Sequence, residues 1–178
     1  MDDPEPLDSA EVPCRLLEKN YDPDELLVIS QAYAGQISLL DTCVGGLVEY
    51  LQAGSLGEET VLMLLSSRGF PLGEHRKVGA CGEGLNGELV HVPLMIRFPD
   101  GLGAAARTQL LTHPPDIWAT VLDYIGNQHA GPTEARSLMP TITGKGTLSR
   151  DRLAVGRSDG QRGVRTPAWY LHDGPRPE

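Results

Sequence analysis

Residues 60–75 read TVLMLLSSRGFPLGEH, and the change of character at Ser66 sets the fold. Thr60 is followed by a short, unbroken apolar run, VLMLL. It is too short for an ordinary helix and suits a strand buried on both faces. After it the apolar pattern stops. Residues 66–87 are glycine-rich and weakly patterned, and read as one long loop. Loops of that length without internal structure are commonly functional or mobile. In layered α/β sheets, ligands lie beyond the carboxyl ends of the strands, so chemistry is expected in the loop that leaves Leu65.

On the N-terminal side, Ile29, Tyr33, Ile37, Leu40, Val44, Leu47, Val48 and Leu51 recur at three- and four-residue steps, as one buried helix face requires. The helix is expected to begin near Leu26 and to end at Gly54 in the left-handed conformation. Gly45 and Gly46 weaken it by about 1 kcal/mol each against alanine, and close approach of another backbone would explain the pair. On the C-terminal side, residues 92–98 (VPLMIRF) form a second strand candidate with Pro93 at its start. Pro114 and Pro115 open a second helix, in which Ile117, Val121, Leu122 and Ile125 share a face and Gly126 closes the end. Residues 152–155 and 164–171 are shorter strand candidates, the latter interrupted by Pro167, and residues 127–149 read as mostly loop.

Helix, strand, long loop, strand, helix is the order of an α/β domain, a layered sheet with flanking helices. It occupies residues 26–171. Before it, residues 1–25 form an acidic, proline-containing arm with one short turn of helix expected around Arg15 to Lys19. A tail follows at residues 172–178.

Composition narrows the function. With 40% hydrophobic and 22% charged residues the chain is ordinary for a globular protein, while 5% aromatics, 21 glycines and 14 prolines point to many turns. A formal net charge of −9 argues against a nucleic-acid binder, which needs a basic surface to displace counterions. Cys14, Cys43 and Cys81 have no close spacing, and an odd count fits a reduced compartment better than a disulfide scaffold. The acidic start lacks the basic and apolar regions of a secretory signal, and no apolar run is long enough to span a bilayer. The expected setting is cytoplasmic, with no membrane contact.

Several segments, in order, resemble the sulfatases of the alkaline-phosphatase superfamily. YAGQISLLDTCVGGLVEYL at residues 33–51 is similar to that family's Y-x-x-x-I-x-x-L-D-x-x-V-G-x-L helix. TVLMLLSSRGFPLGEH resembles its strand and metal loop, which usually runs S-D-H-G or S-D-N-G and then L-G-E-H. ELVHVPLMIRFP at residues 88–99, THPPDIWATVLDYIG at 112–126 and ARSLMPTITG at 135–144 resemble three later segments, and residues 165–171 the strand after them. Each fragment is weak alone; their order along residues 31–171 carries the resemblance, which is to the later part of the family's domain.

That resemblance implies cleavage of sulfate esters by a formylglycine made from Cys or Ser in a C/S-x-P-x-R motif. It also implies a divalent cation, usually calcium, held by two early aspartates and by the Asp and the Asn or His of the S-D-x-G loop. Hard cations require such oxygen ligands. This chain departs at each point. No C/S-x-P-x-R occurs, and the segment carrying the early aspartates is not recognisable. Ser67 stands where the aspartate is expected and Arg68 where the second ligand is expected. An arginine about 4 Å from a divalent ion is repelled by roughly 8 kcal/mol at an effective dielectric of 20. A guanidinium also has no acceptor atom with which to ligate. Neither calcium nor a catalytic residue is therefore expected here.

The expected protein is sulfatase-like and catalytically silent, its formylglycine motif and metal aspartates absent. Two alternatives stand beside it. Arg68, His75 and Lys77 could bind an anion or a protein partner, since an arginine fork matches sulfate and phosphate. Or another chain could complete an active hydrolase. Of the remaining polar residues, His75 aligns with the L-G-E-H histidine, whereas Lys77 falls too early for the family's sulfate-binding lysine. Asp41 and Asp116 fit capping or surface roles, His91 and His113 have no evident partner, and Trp118 and Trp169 read as core or interface residues. A sheet lacking its first strands exposes apolar surface, so a homo-oligomer or a missing N-terminal half is the expected partner.

Overall fold

The computed structural model describes residues 12–79, 81, 84–127, 134–147, 149–157 and 160–173. They form a mixed α/β structure in two compact units, the first reaching Ile96 and the second covering Arg97–Asp173. The acidic residues 1–8 of the arm lie outside the described residues, as does most of the tail.

In the first unit, Asp22 caps helix α1 (Pro23–Ala53) by accepting from the Asp24 amide at 2.9 Å, and Pro23 supplies the fixed φ of the first turn. The helix ends at Gly54 as expected. Gly54 is extended (φ −112°, ψ 169°) rather than left-handed, because the chain passes straight into a 3-10 turn at Ser55–Glu58. The apolar stripe of α1 is covered only at its ends. Ile29 and Leu51 are buried, whereas Tyr33, Ile37, Leu40 and Leu47 are exposed. Gly45 and Gly46 have nothing near the position of an added Cβ, so no second backbone approaches them among the described residues.

Strand β2 (Leu62–Leu65) pairs with β4 (Leu94–Arg97) in a two-stranded sheet. Both lie within the segments expected to be strands. Neither is buried on both faces: Leu65 and Met95 are exposed, and the sheet has no third strand among the described residues. The N-terminal segment differs most from expectation. Arg15–Leu16 forms a strand, β1, instead of a helical turn, and pairs antiparallel with β3 (Lys77–Val78) in the register Arg15↔Val78 and Leu16↔Lys77. The loop after β2 is therefore structured. Leu17, Ile29 and Val78 form a small core, with Tyr21, Leu26, Phe70 and Leu72 packed on it. Tyr33 stacks on Phe70 with ring centroids 5.4 Å apart.

In the second unit, helix α3 (Pro114–Tyr124) turns Asp116, Thr120 and Leu122 inward. Ile125, expected on that buried face, is exposed just past the helix end, and Gly126 follows with φ 76°. Phe98 is buried against Tyr124 at 5.0 Å between centroids. A short helix, α4 (Met139–Ile142), interrupts the expected 127–149 loop, of which residues 128–133 and 148 lie outside the described residues. Strands β5 (Leu153–Gly156), β6 (Arg162–Arg165) and β7 (Tyr170–His172) form an antiparallel meander. The break at Pro167 is the β6–β7 turn, closed by the Thr166 amide donating to the Trp169 carbonyl at 2.8 Å. Trp118 and Trp169 are both exposed and so belong to no core.

Candidate functional site

Strand β2 delivers the chain to Ser66, and a tight local turn follows. The Ser66 hydroxyl donates to the Arg68 carbonyl at 2.6 Å and receives the Arg68 amide at 3.4 Å. Ser67 and Arg68 sit exposed at its tip. Gly69 then ties the turn to the short helix α2 (Gly87–Val90), its amide donating to the Leu89 carbonyl at 3.0 Å. Only glycine fits there, because a Cβ would lie 1.7 Å from the Glu88 carbonyl oxygen.

Beyond the turn, the loop folds back on itself. Glu74 accepts from the Leu72 amide at 2.6 Å, Gly73 donates to the Lys77 carbonyl at 2.8 Å, and His75 and Arg76 adopt positive φ of 52° and 55°. His75 faces Glu88, with Nε2 3.7 Å from the carboxylate. The turn at Ser66–Gly69 and His75 thus both abut α2, one through backbone and one through a side chain. Lys77 is different. It lies in β3, buried, with its ammonium beside Gly84 and Asn86. Of the three basic residues, Arg68 and His75 are exposed and Lys77 is embedded in the fold. Asp41 lies on the exposed surface of α1, and His91 ends α2 by donating its amide to Gly87 at 2.9 Å.

The second unit holds a polar centre that the sequence did not reveal. Asp116 is fully buried, at 0% exposure. Arg150 grips its carboxylate with two hydrogen bonds, at 2.5 and 2.8 Å, and also donates to the carbonyls of Leu111 and Glu134. The backbone amides of His113 and Arg136 each donate to the same carboxylate at 2.9 Å. The His113 ring lies alongside, its Nδ1 3.0 Å from Asp116 Oδ2 but without the geometry of a hydrogen bond. Burial alone raises a carboxyl pKa. Here the hydrogen bonds from Arg150, His113 and Arg136 outweigh it and lower that of Asp116 from 3.8 to about 2. So Asp116 has the expected capping role at the start of α3, but not on the surface. Its signal in sequence was the P-P-D helix start; Arg150, 34 residues away, gave none.

Two cysteines are also brought together. Cys14 and Cys81, unrelated by spacing, have thiols within hydrogen-bonding reach of one another, and both are free. No helix among the described residues is long and apolar enough to cross a membrane.

Known proteins share this layout. The sulfatase family model matches residues 13–127. The chain is 27% identical over 122 residues to the multifunctional alkaline phosphatase superfamily protein PehA of Trinickia caryophylli, covering 68% of this chain and 23% of that protein. It is 26% identical over 119 residues to the N-acetylglucosamine-6-O-sulfatase of Bacteroides thetaiotaomicron, covering 67% and 21%. It is 32% identical over 120 residues to the iduronate 2-sulfatase of Homo sapiens, covering 65% and 21%. The chain thus spans less than a quarter of the length of these relatives. The solved structure of BT4656 in complex with its substrate D-glucosamine-2-N,6-O-disulfate superposes with a TM-score of 0.70 over 83% of this chain and 32% of that one, at 23% identity, a likeness of fold. With the family model matched over well more than half of its 178 residues, the chain belongs to the sulfatase family.

Proposed function

We propose that this chain is a sulfatase-like segment that binds no calcium and turns over no sulfate ester by itself. The observation that carries the reading is the Ser66–Gly69 turn. Its two ligand positions are Ser67 and Arg68, and its remaining hydroxyl, on Ser66, is hydrogen-bonded within the turn itself. Calcium needs several oxygen donors, at least some of them carboxylates. Of the carboxylates nearby, Glu74 accepts from the Leu72 amide, and Glu88 lies 3.7 Å from His75 with its other oxygen buried and unpartnered, so at most one carboxylate oxygen is left over, too few for the ion. These residues do not fit the ion. The C/S-x-P-x-R motif is likewise absent from the 178 residues. An earlier portion of the domain, supplied by other polypeptide, would bring a nucleophile and two aspartates but leave this turn unchanged.

The uncovered stripe on α1 supports a covering partner. Ile37, Leu40 and Leu47 leave apolar side chains of one helix face in water, where each side chain of this size would contribute about 1.5–3 kcal/mol if buried. The occupant that fits best is the earlier portion of a sulfatase domain, since the chain spans less than a quarter of its curated relatives.

Anion binding by Arg68, His75 and Lys77 is the weaker reading. Glu88 sets a negative charge against His75, and Lys77 is buried in the β1–β3 ladder, which leaves Arg68 as the exposed guanidinium of the three.

The test is sulfate-ester turnover by the purified chain, with and without calcium. The expected rate is that of the buffer blank in both. Calcium-dependent turnover that is lost on Ser67→Ala would refute the proposal.

A further inference from the structure

We infer that Cys14 and Cys81 form a thiol–disulfide exchange site, which a low-molecular-weight disulfide such as glutathione disulfide oxidises to a bond stapling the segment before β1 to the segment after β3. The geometry is set by the ladder. The register Arg15↔Val78 continues outward to bring Cys14 opposite Gly79. The approach there is so close that a Cβ on Gly79 would lie 2.1 Å from the Pro13 carbonyl oxygen and 3.3 Å from the Cys14 Cα. Gly79 has φ 71° and no side chain, so the two backbones meet and the chain turns back toward Cys14. Cys81 is held near by its thiol donating to the Val78 carbonyl at 3.3 Å. Its sulfur and that of Cys14 are within hydrogen-bonding reach, with Cys14 exposed and Cys81 half-buried. Backbones as close as these put two cysteines within the range of Cα separations that a disulfide spans.

The exchange balances without any further reagent. The Cys14 thiolate attacks one sulfur of glutathione disulfide, breaking that S–S bond and releasing one glutathione thiolate. The Cys81 thiolate then attacks the Cys14 sulfur of the mixed disulfide, forms the Cys14–Cys81 bond and expels the second glutathione. Two electrons pass from the protein thiols to the glutathione disulfide, and the two thiol protons end on the two glutathiones. Cys14 is the first attacker because it is the more exposed of the two thiols. Desolvation, followed by the Cys81 thiol, outweighs the Arg68 guanidinium and pushes Cys14 above its ordinary value. The staple would fix the ladder that also carries Lys77, and it lies beside the Arg68 turn without using either residue. It therefore stands or falls independently of catalytic silence.

The experiment uses the full chain carrying Cys43→Ser, which removes the exposed cysteine of α1. The chain is incubated with glutathione disulfide at mildly alkaline pH and read by intact mass, peptide mapping and thermal unfolding. The expected product is a monomer that has lost two hydrogens, carries no glutathione and yields a peptide linking Cys14 to Cys81. Its melting temperature should rise by roughly 5 °C or more, a gain that dithiothreitol reverses. In the further variant Cys81→Ser, the adduct on Cys14 should persist because no second thiol resolves it. Two glutathione adducts on the unlinked pair, or a link that forms only in denaturant, would overturn the inference. The decisive readout keeps both cysteines, so it does not depend on the Cys81→Ser variant folding.

Discussion

Two turns of this molecule each present an arginine, and they stand at opposite extremes. At Ser66–Gly69, Arg68 is exposed, and among the described residues no carboxylate pairs with it. The turn is held by a serine bonding its own neighbour and by one backbone tie to α2. At the start of α3, Arg150 has a side chain only 7% exposed and is locked onto a fully buried aspartate that also receives two backbone amides. The bonds that hold the first turn run from Ser66 and Gly69, not from the Ser67 or Arg68 side chains. In the second, the side chains themselves organise the surroundings. An exposed residue at a turn whose backbone is secured locally can change without disturbing the fold, whereas a buried ion pair cannot lose either member so cheaply.

Breaking the α3 centre should give the largest effect. Asp116→Ala leaves the Arg150 guanidinium buried and unpaired, and should destabilise the protein by about 3–5 kcal/mol in urea unfolding. A loss under about 1 kcal/mol would mean that water replaces the carboxylate, and the contrast between the turns would fail. Acid should weaken the same centre by a smaller amount. The folded-state pKa of Asp116, about 2, lies below its ordinary value of 3.8. Its contribution is therefore fully present above roughly pH 4 and is lost as the pH falls through about 2. The expected loss is about 2 kcal/mol, seen as a pH dependence of the urea midpoint that Asp116→Ala abolishes. At the other turn, Arg68→Ala should change stability by no more than about 0.5 kcal/mol, the ordinary range for an exposed residue away from special contacts. A larger loss would reveal a structural role for Arg68.

What the sequence made legible follows the range over which each signal acts. Helices α1 and α3 and strands β2 and β4 were readable because periodicity, proline starts and short apolar runs act within a few residues. The family resemblance was readable because it rests on contiguous patterned segments such as residues 60–75. Strands β1 and β3 were not, since two-residue strands carry no alternation and exist only because residues far apart in the chain pair. The same holds for Arg150 on Asp116 and for Cys14 against Cys81. The stripe on α1 taught a different lesson. Its period correctly gave a helix, but period says which residues share a face and not whether anything covers it, and Leu40 is 51% exposed.

The central claim is that the Ser66–Gly69 turn cannot hold calcium, and calorimetric titration of calcium into the purified chain tests it most directly. No saturable heat is predicted up to millimolar ion, with the Ser67→Ala variant indistinguishable from the parent. A stoichiometric isotherm in the parent that disappears when Ser67 is replaced would contradict it.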